Sequence, residues 1–162
     1  MGVDTSLRST GVGILESQGS KMVAVYYGLI KTPSGTPLSE TLLHLQQEME
    51  KIITTHQPQA AAVEGIFYAR NVKTAMLLSH ARGTLIAQCA KQGLPVFEYE
   101  PRRVKMAVAG YGAAKKEQIQ TMVKTLLHLE TIPPEDAADA LALAITHLHN
   151  RTSLRLNTTK PI

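Results

Sequence analysis

The sequence predicts a single α/β domain, a mixed five-stranded sheet with helices on both faces, and three observations carry that expectation. Apolar segments separated by turn residues open the chain and read as three antiparallel strands. Two short apolar runs, "AAAVE" and "PVFEY", each follow a helix-patterned stretch and so read as strands reached by crossovers. Four stretches repeat apolar residues every three or four positions, the period of a helix with a buried face. A length of 162 residues fits one domain with a real core.

In chain order, "MGVDT" reads as the end of a short strand and "TGVGILE" as its hairpin partner, joined by the turn-rich "SLRS". "MVAVYYGLIK" is a third strand, ended by "TPSGTP". Leu38, Leu42, Leu45, Met49 and Ile52 then mark a helix that stops before Pro58. After the strand "AAAVE", a long helix runs from Asn71 to Lys91 and stops at Gly93, the usual residue for a left-handed cap. After "PVFEY", residues Ile119, Met122, Val123, Leu126 and Leu127 form another amphipathic stretch. Pro133 and Pro134 open the last helix, since proline is well tolerated in a first turn. Residues 1–150 form the domain; 151–162 are polar, basic and Thr-rich and are expected to be a disordered tail.

Composition narrows the function classes. No run of eighteen apolar residues is present, so no membrane span is expected. A single cysteine, Cys89, forms no intrachain disulfide, and a reducing cytoplasmic compartment is expected. The six histidines are scattered and argue against a zinc site. A net charge of +4 points weakly to a polyanionic partner. Position says more: Arg102, Arg103, Lys105, Lys115 and Lys116 fall between Pro101 and Lys116 with no acid among them. Lys115 and Lys116 open a helix, where positive charge opposes the macrodipole but, with backbone N–H groups, builds a phosphate cradle.

The chain has only three aspartates, Asp4, Asp136 and Asp139, all in apolar or turn-like settings. Taken singly, Asp4 is explained as a turn former, Asp136 as a helix-start acid and Glu64 as a strand-end surface residue. Asp139 resists such an explanation, because it lies one turn inside an Ala/Leu helix built for burial. A doubly wound sheet gathers strand ends and helix starts in one crevice, which brings Asp4 and Glu64 beside Asp136 and Asp139. Four convergent carboxylates stay ionised only beside a cation, and hard oxygen donors select Mg²⁺ or Mn²⁺. The expected arrangement is two ions sharing a phosphodiester.

Four blocks in this order, "GVDTSLRSTGVGIL", "AAVEGIFYARNVKTAMLLSHARG", "LPVFEYEPRRVKMAVAGYGAAKKEQIQTMVKTLL" and "EDAADALALAITHLH", resemble the RuvC family of Holliday-junction resolvases over nearly the whole chain. The resemblance implies an RNase H-like fold, a homodimer and Mg²⁺-dependent endonuclease activity on four-way junction DNA in recombination and repair. Its expected products are paired symmetric nicks in strands of like polarity. It places Asp4, Glu64, Asp136 and Asp139 on the family's catalytic metal-binding acids, and Lys105 and Lys116 on lysines that contact DNA phosphates. Phe67 matches an aromatic that stacks on junction bases, and Arg70 and Lys115 join the DNA-binding set. The helix after Phe67 would form much of the dimer interface; Met76, Leu77, Leu78, Leu85 and Ile86 give it more apolar residues than one face needs. Branch-migration partners of the RuvA and RuvB type follow from kinship alone.

Two features depart from the family pattern. Met1, Gly2 and Val3 alone precede Asp4, where family members carry five or six residues, and a central strand so shortened is expected to lose ladder bonds. Thr5-Ser6 also replaces the usual Pro-Gly after that aspartate, with the turn expected to survive. Three rival readings remain at this point. They are a same-fold nuclease acting on structured RNA (RuvX-like), an actin-like phosphotransferase, and a catalytically impaired junction-binding protein caused by the clipped strand.

Overall fold

The computed structural model describes residues 1–19, 21–65, 72–152 and 160–162. Strands β1 (Gly2–Asp4), β2 (Ser9–Gln18), β3 (Lys21–Lys31), β4 (Ala61–Glu64) and β5 (Val96–Tyr99) form one sheet in the order β3-β2-β1-β4-β5. The first three pair antiparallel; β4 pairs parallel with both β1 and β5. The mixed sheet read from the sequence is therefore the one observed. β1 is short but paired on both sides, and Met1 extends it: its carbonyl accepts from the Ala62 N–H at 2.8 Å, and its amine donates to the Ala60 carbonyl at 2.9 Å.

Helices α1 (Leu38–His56), α2 (Val72–Lys91), α3 (Pro101–Ala109), α4 (Lys116–Leu126) and α5 (Glu135–Thr152) complete the domain. Four match the sequence expectation. α3 has no counterpart in it, because its nine residues offer only Val104 and Val108 as buried apolar anchors among basic neighbours. Its boundaries still have ordinary causes. Pro101 sits in the first turn, and Gly110, at φ 69°, ends the helix by donating to the Met106 carbonyl at 3.0 Å. The predicted tail lies mostly outside the described residues, but the Ile162 N–H donates to the Val96 carbonyl at 2.9 Å.

Strand alternation divides the core. Val3, Val63 and Val96 face one way and pack with Leu45, Met49 and Ile53 of α1 and Ala81, Leu85 and Cys89 of α2. Ala62 and Tyr99 face the other way, toward Leu141 and Ile145 of α5 and Val104 and Val123 of α3 and α4. α5 lies between the sheet and the α3–α4 pair, which is why Ala137, Ala138 and the whole run from Ala140 to Ile145 are buried. A helix enclosed on all sides must be apolar all round, and small residues let it approach closely.

That approach is extreme on the sheet side. A Cβ added to Gly2 would stand 1.9 Å from the Ala140 carbonyl oxygen, and one added to Gly11 would stand 1.9 Å from the Asp136 carbonyl oxygen. Gly13 meets the Leu141 side chain in the same way, at 2.8 Å. The strands thus touch the helix backbone directly, and any side chain there would prise α5 away. Gly11→Ala should lower stability by about 1–3 kcal/mol or more, the usual cost of overpacking. Urea unfolding measures it, and a change below about 0.5 kcal/mol would mean that the α5 contact is looser than described.

Candidate active site

All four predicted acids leave the sheet and α5 at one place. β1 runs beside β4 with Gly2 opposite Ala62 and Val3 opposite Val63, so Asp4 and Glu64 are the next residues on neighbouring parallel strands. Alternation puts both on the α5 side, with Gly2 and Ala62. On its other side Asp4 pairs with Gly11, whose missing side chain admits the Asp136 backbone. Asp139 follows one turn along α5 on the same face.

The electrostatics show that these groups share one field. Burial, then Asp139, Glu64 and Asp136 in that order, push the Asp4 carboxyl from its ordinary range up to about 7, with Lys116 opposing. Glu64, at the exposed end of β4, is also raised, by desolvation and then by Asp139, while Lys105 and Lys116 pull it back. Asp139 is raised by desolvation, countered first by Lys116, with Glu135 and Asp136 adding to the rise. Asp136 accepts a hydrogen bond from the Ser9 hydroxyl.

The turn after Asp4 is built from hydroxyls in place of proline and glycine. The Ser6 hydroxyl accepts from the Arg8 and Ser9 N–H groups at 3.2 and 3.4 Å, and Thr10 donates to the Ser6 carbonyl at 2.5 Å. This is turn chemistry of the Ser/Thr kind, and it sets Ser9 against Asp136. Sequence reading misses Ser9 because the stretch "SLRS" looks like any polar turn; nothing local signals a partner 127 residues away.

The basic residues fall around the acids unequally. Lys105 of α3 acts on Glu64 and Asp139. Lys116, the first residue of α4, is ion-paired with Glu135, and that bond, with smaller contributions from Asp139 and Asp4, raises its ammonium above the ordinary lysine range. Glu135 is a further acid that the sequence reading does not place at the site. Lys115 is the N-cap of α4 with its side chain in solvent. Gln118 secures that start by accepting from the Lys115 N–H at 2.8 Å. Phe67 and Arg70 lie outside the described residues.

The donor set fits a hard divalent metal. All four candidate ligands are carboxylates; burial first and then repulsion from the other three lift Asp4, and a divalent cation would offset both. Among the described residues no three acid side chains are gathered into a single coordination shell. Among those residues, too, no helix is long and apolar enough to cross a membrane.

Comparison with known proteins identifies the family. Residues 1–147 match the family model described as crossover junction endodeoxyribonuclease RuvC. A crossover junction endodeoxyribonuclease RuvC of Pelotomaculum thermopropionicum is 48% identical over 153 residues, which span 94% of this chain and 93% of that protein. The structure of Thermus thermophilus RuvC superposes with a TM-score of 0.86 at 32% identity, covering 99% of this chain and 98% of that one. T. thermophilus RuvC in complex with Holliday junction substrate superposes with a TM-score of 0.89 at 31% identity, covering 99% and 97%. With its RNase H-like sheet and its acids at one crevice, the chain belongs to the RuvC family of crossover junction endodeoxyribonucleases.

Proposed function

We propose that this chain resolves four-way DNA junctions by metal-dependent phosphodiester hydrolysis, with Asp4, Glu64, Asp136 and Asp139 as the metal-binding acids. The observation that carries the reading is the shared field of those acids with Lys105 and Lys116 at its rim. RuvC enzymes are metal-dependent nucleases. The four acids would hold Mg²⁺, or Mn²⁺ in its place, at two ions per site, which when bound activate water and neutralise charge on the departing 3′-oxygen.

The chain's own residues supply the rest. Ser9 fixes the direction of Asp136, and the Glu135 pairing holds Lys116 beside Asp4 and Asp139. A DNA phosphate entering there meets Lys105 and Lys116 together at the N-terminal end of α4. Lys115 extends this cradle outward. Phe67 stacking on a junction base and Arg70 on the backbone complete the proposed DNA contacts, supported by the family pattern of their sequence block.

A symmetric substrate suits a two-fold dimer. α2 offers the surface for it, because Val72, Met76 and Leu78 are exposed on it. Partners of the RuvA and RuvB type follow from kinship, and a cytoplasmic setting from the single cysteine, Cys89. The paired β1 weakens the reading of a catalytically impaired binder, since that reading requires a loosened first strand.

A junction-cleavage assay with and without Mg²⁺, run beside duplex DNA and structured RNA, tests the function. Cutting of the junction alone supports it, and preferential cutting of RNA would move the chain to the rival nuclease class. Asp139→Asn should lower cleavage by at least about a hundredfold, since even supporting residues of metal sites cost 10–100-fold. Junction binding in a mobility-shift assay should survive, and wild-type cutting would remove Asp139 from the mechanism. Lys116→Ala should slow cutting and flatten the log–log salt dependence of binding by about 0.9 for each phosphate no longer neutralised. An unchanged slope would return Lys116 to the ordinary surface.

Stability should also depend on pH with a definite sign. Asp4 has a folded pKa of about 7 against an ordinary value of 3.8, so the folded state binds the extra proton between those values. Without divalent metal, stability is therefore lost as pH rises from about 4 to about 7, by at most roughly 1.4 kcal/mol per pH unit for this group. The measurement is the difference between wild type and Asp4→Asn across that range. The subtraction cancels His147, which burial lowers to about 4 and which destabilises toward acid. Parallel profiles would show that Asp4 carries no such strain.

A further inference from the structure

One buried cation takes no part in the carboxylate cluster. Arg82, on α2, is 8% exposed. Its Nε–H donates to the Glu64 backbone carbonyl at 3.2 Å, and its guanidinium forms an ion pair with the Glu98 carboxylate of β5. It belongs to the helix layer opposite the one that Glu64's carboxylate faces. Glu98 stands opposite Val63 in the β4–β5 register, on the α2 side of the sheet, whereas Glu64 alternates to the α5 side.

The backbone between these groups is held closely. The Gly65 N–H donates to the Tyr99 carbonyl at 2.9 Å, and a Cβ at Gly65 would stand 3.3 Å from a Glu98 carboxylate oxygen. The last peptide of β4 is therefore enclosed by Tyr99 on the strand side and by the Arg82–Glu98 pair on the helix side. Glu64 is the final residue of its strand, and its carbonyl takes its hydrogen bond from the α2 layer through Arg82. Where a catalytic acid sits at the end of a ladder, whatever holds that end sets its direction. A guanidinium suits this role, since its planar fork serves a carbonyl and a carboxylate at once.

We propose that Arg82 and Glu98 form a positioning pair for Glu64, fixing the carboxylate-bearing end of β4 from the α2 layer and making cleavage sensitive to how α2 is seated. The inference rests on the reading of Glu64 as a metal-binding acid. It also gives α2 two roles, because the helix that presents Val72, Met76 and Leu78 outward reaches inward through Arg82 to the reaction site. Docking of a second copy on the outer face and placement of Glu64 then share one rigid element.

The test compares Arg82→Gln, Arg82→Lys, Glu98→Gln and Glu64→Gln in the full-length protein. For each, single-turnover cleavage is followed across Mg²⁺ concentration, with junction affinity measured in Ca²⁺ and the rise in Tm on adding Mg²⁺ without DNA. For Arg82→Gln and Glu98→Gln the Mg²⁺ needed for half-maximal cutting should rise about 10–100-fold, the usual effect of losing a residue that orients a metal ligand. The Mg²⁺-induced rise in Tm should shrink, and junction affinity should stay within about twofold, since the pair touches no substrate. High Mg²⁺ should rescue these variants but not Glu64→Gln, and Arg82→Lys should fall between them and wild type. If Arg82→Gln fails to fold, Glu98→Gln, altered at a half-exposed side chain, reads the same quantities. A lower Tm with unchanged Mg²⁺ dependence would overturn the proposal and leave the pair a packing feature. Wild-type cutting by Glu64→Gln would instead overturn the metal role of Glu64 itself.

Discussion

The contact of the α5 backbone with the sheet governs where every acidic group can stand. Helices ordinarily rest on a sheet through their side chains, at a distance set by those side chains. Here Gly2, Gly11 and Gly13 remove the sheet's side chains at three crossing points, and Ala137, Ala140 and Ala144 thin the helix. The gap closes until backbone meets backbone. Two aspartates on the first turns of α5 are thereby brought to the ends of two central strands, a separation that a Leu-lined interface would have made too large for one field to span.

Closeness carries an electrostatic penalty that the surrounding structure only partly offsets. Ser9 serves Asp136, while Lys105 and Lys116 lower Glu64 and Asp139 from the rim. Asp4, innermost of the set, keeps a carboxyl that is half protonated near neutrality. The buried guanidinium of Arg82, well suited to neutralise a carboxylate here, binds a carbonyl of β4 and Glu98 instead. Charge is thus withheld from the centre and supplied at its edge. This distribution favours a cation coming from solution, and a phosphate coming with it, over an internal salt bridge.

Much of this is legible in the sequence, and the reasons differ between parts. The strands and four of the helices announce themselves because each buries a face of regular period. The aspartates stand out because an acid inside an Ala/Leu helix contradicts its surroundings. What stays hidden are interactions with no local signature. Glu135 looks like one more helix-start acid, although it holds Lys116. Arg82 lies within a helix of mixed character, where burial depends on the layers above and below. The glycines read as hairpin residues, and their real role is the room they leave for a helix that arrives more than a hundred residues later.

The hydrogen bond from Ile162 to Val96 bears on how copies of this chain can meet. β5 is the rim of the sheet next to β4, and a rim with free carbonyls invites a foreign strand to add itself. The returning C-terminus occupies one of those carbonyls. The opposite rim, β3, has charged residues at both ends, Lys21 and Lys31, which discourage the same event. With a carbonyl occupied on one rim and lysines at both ends of the other, addition of a foreign strand is discouraged at either edge of the sheet.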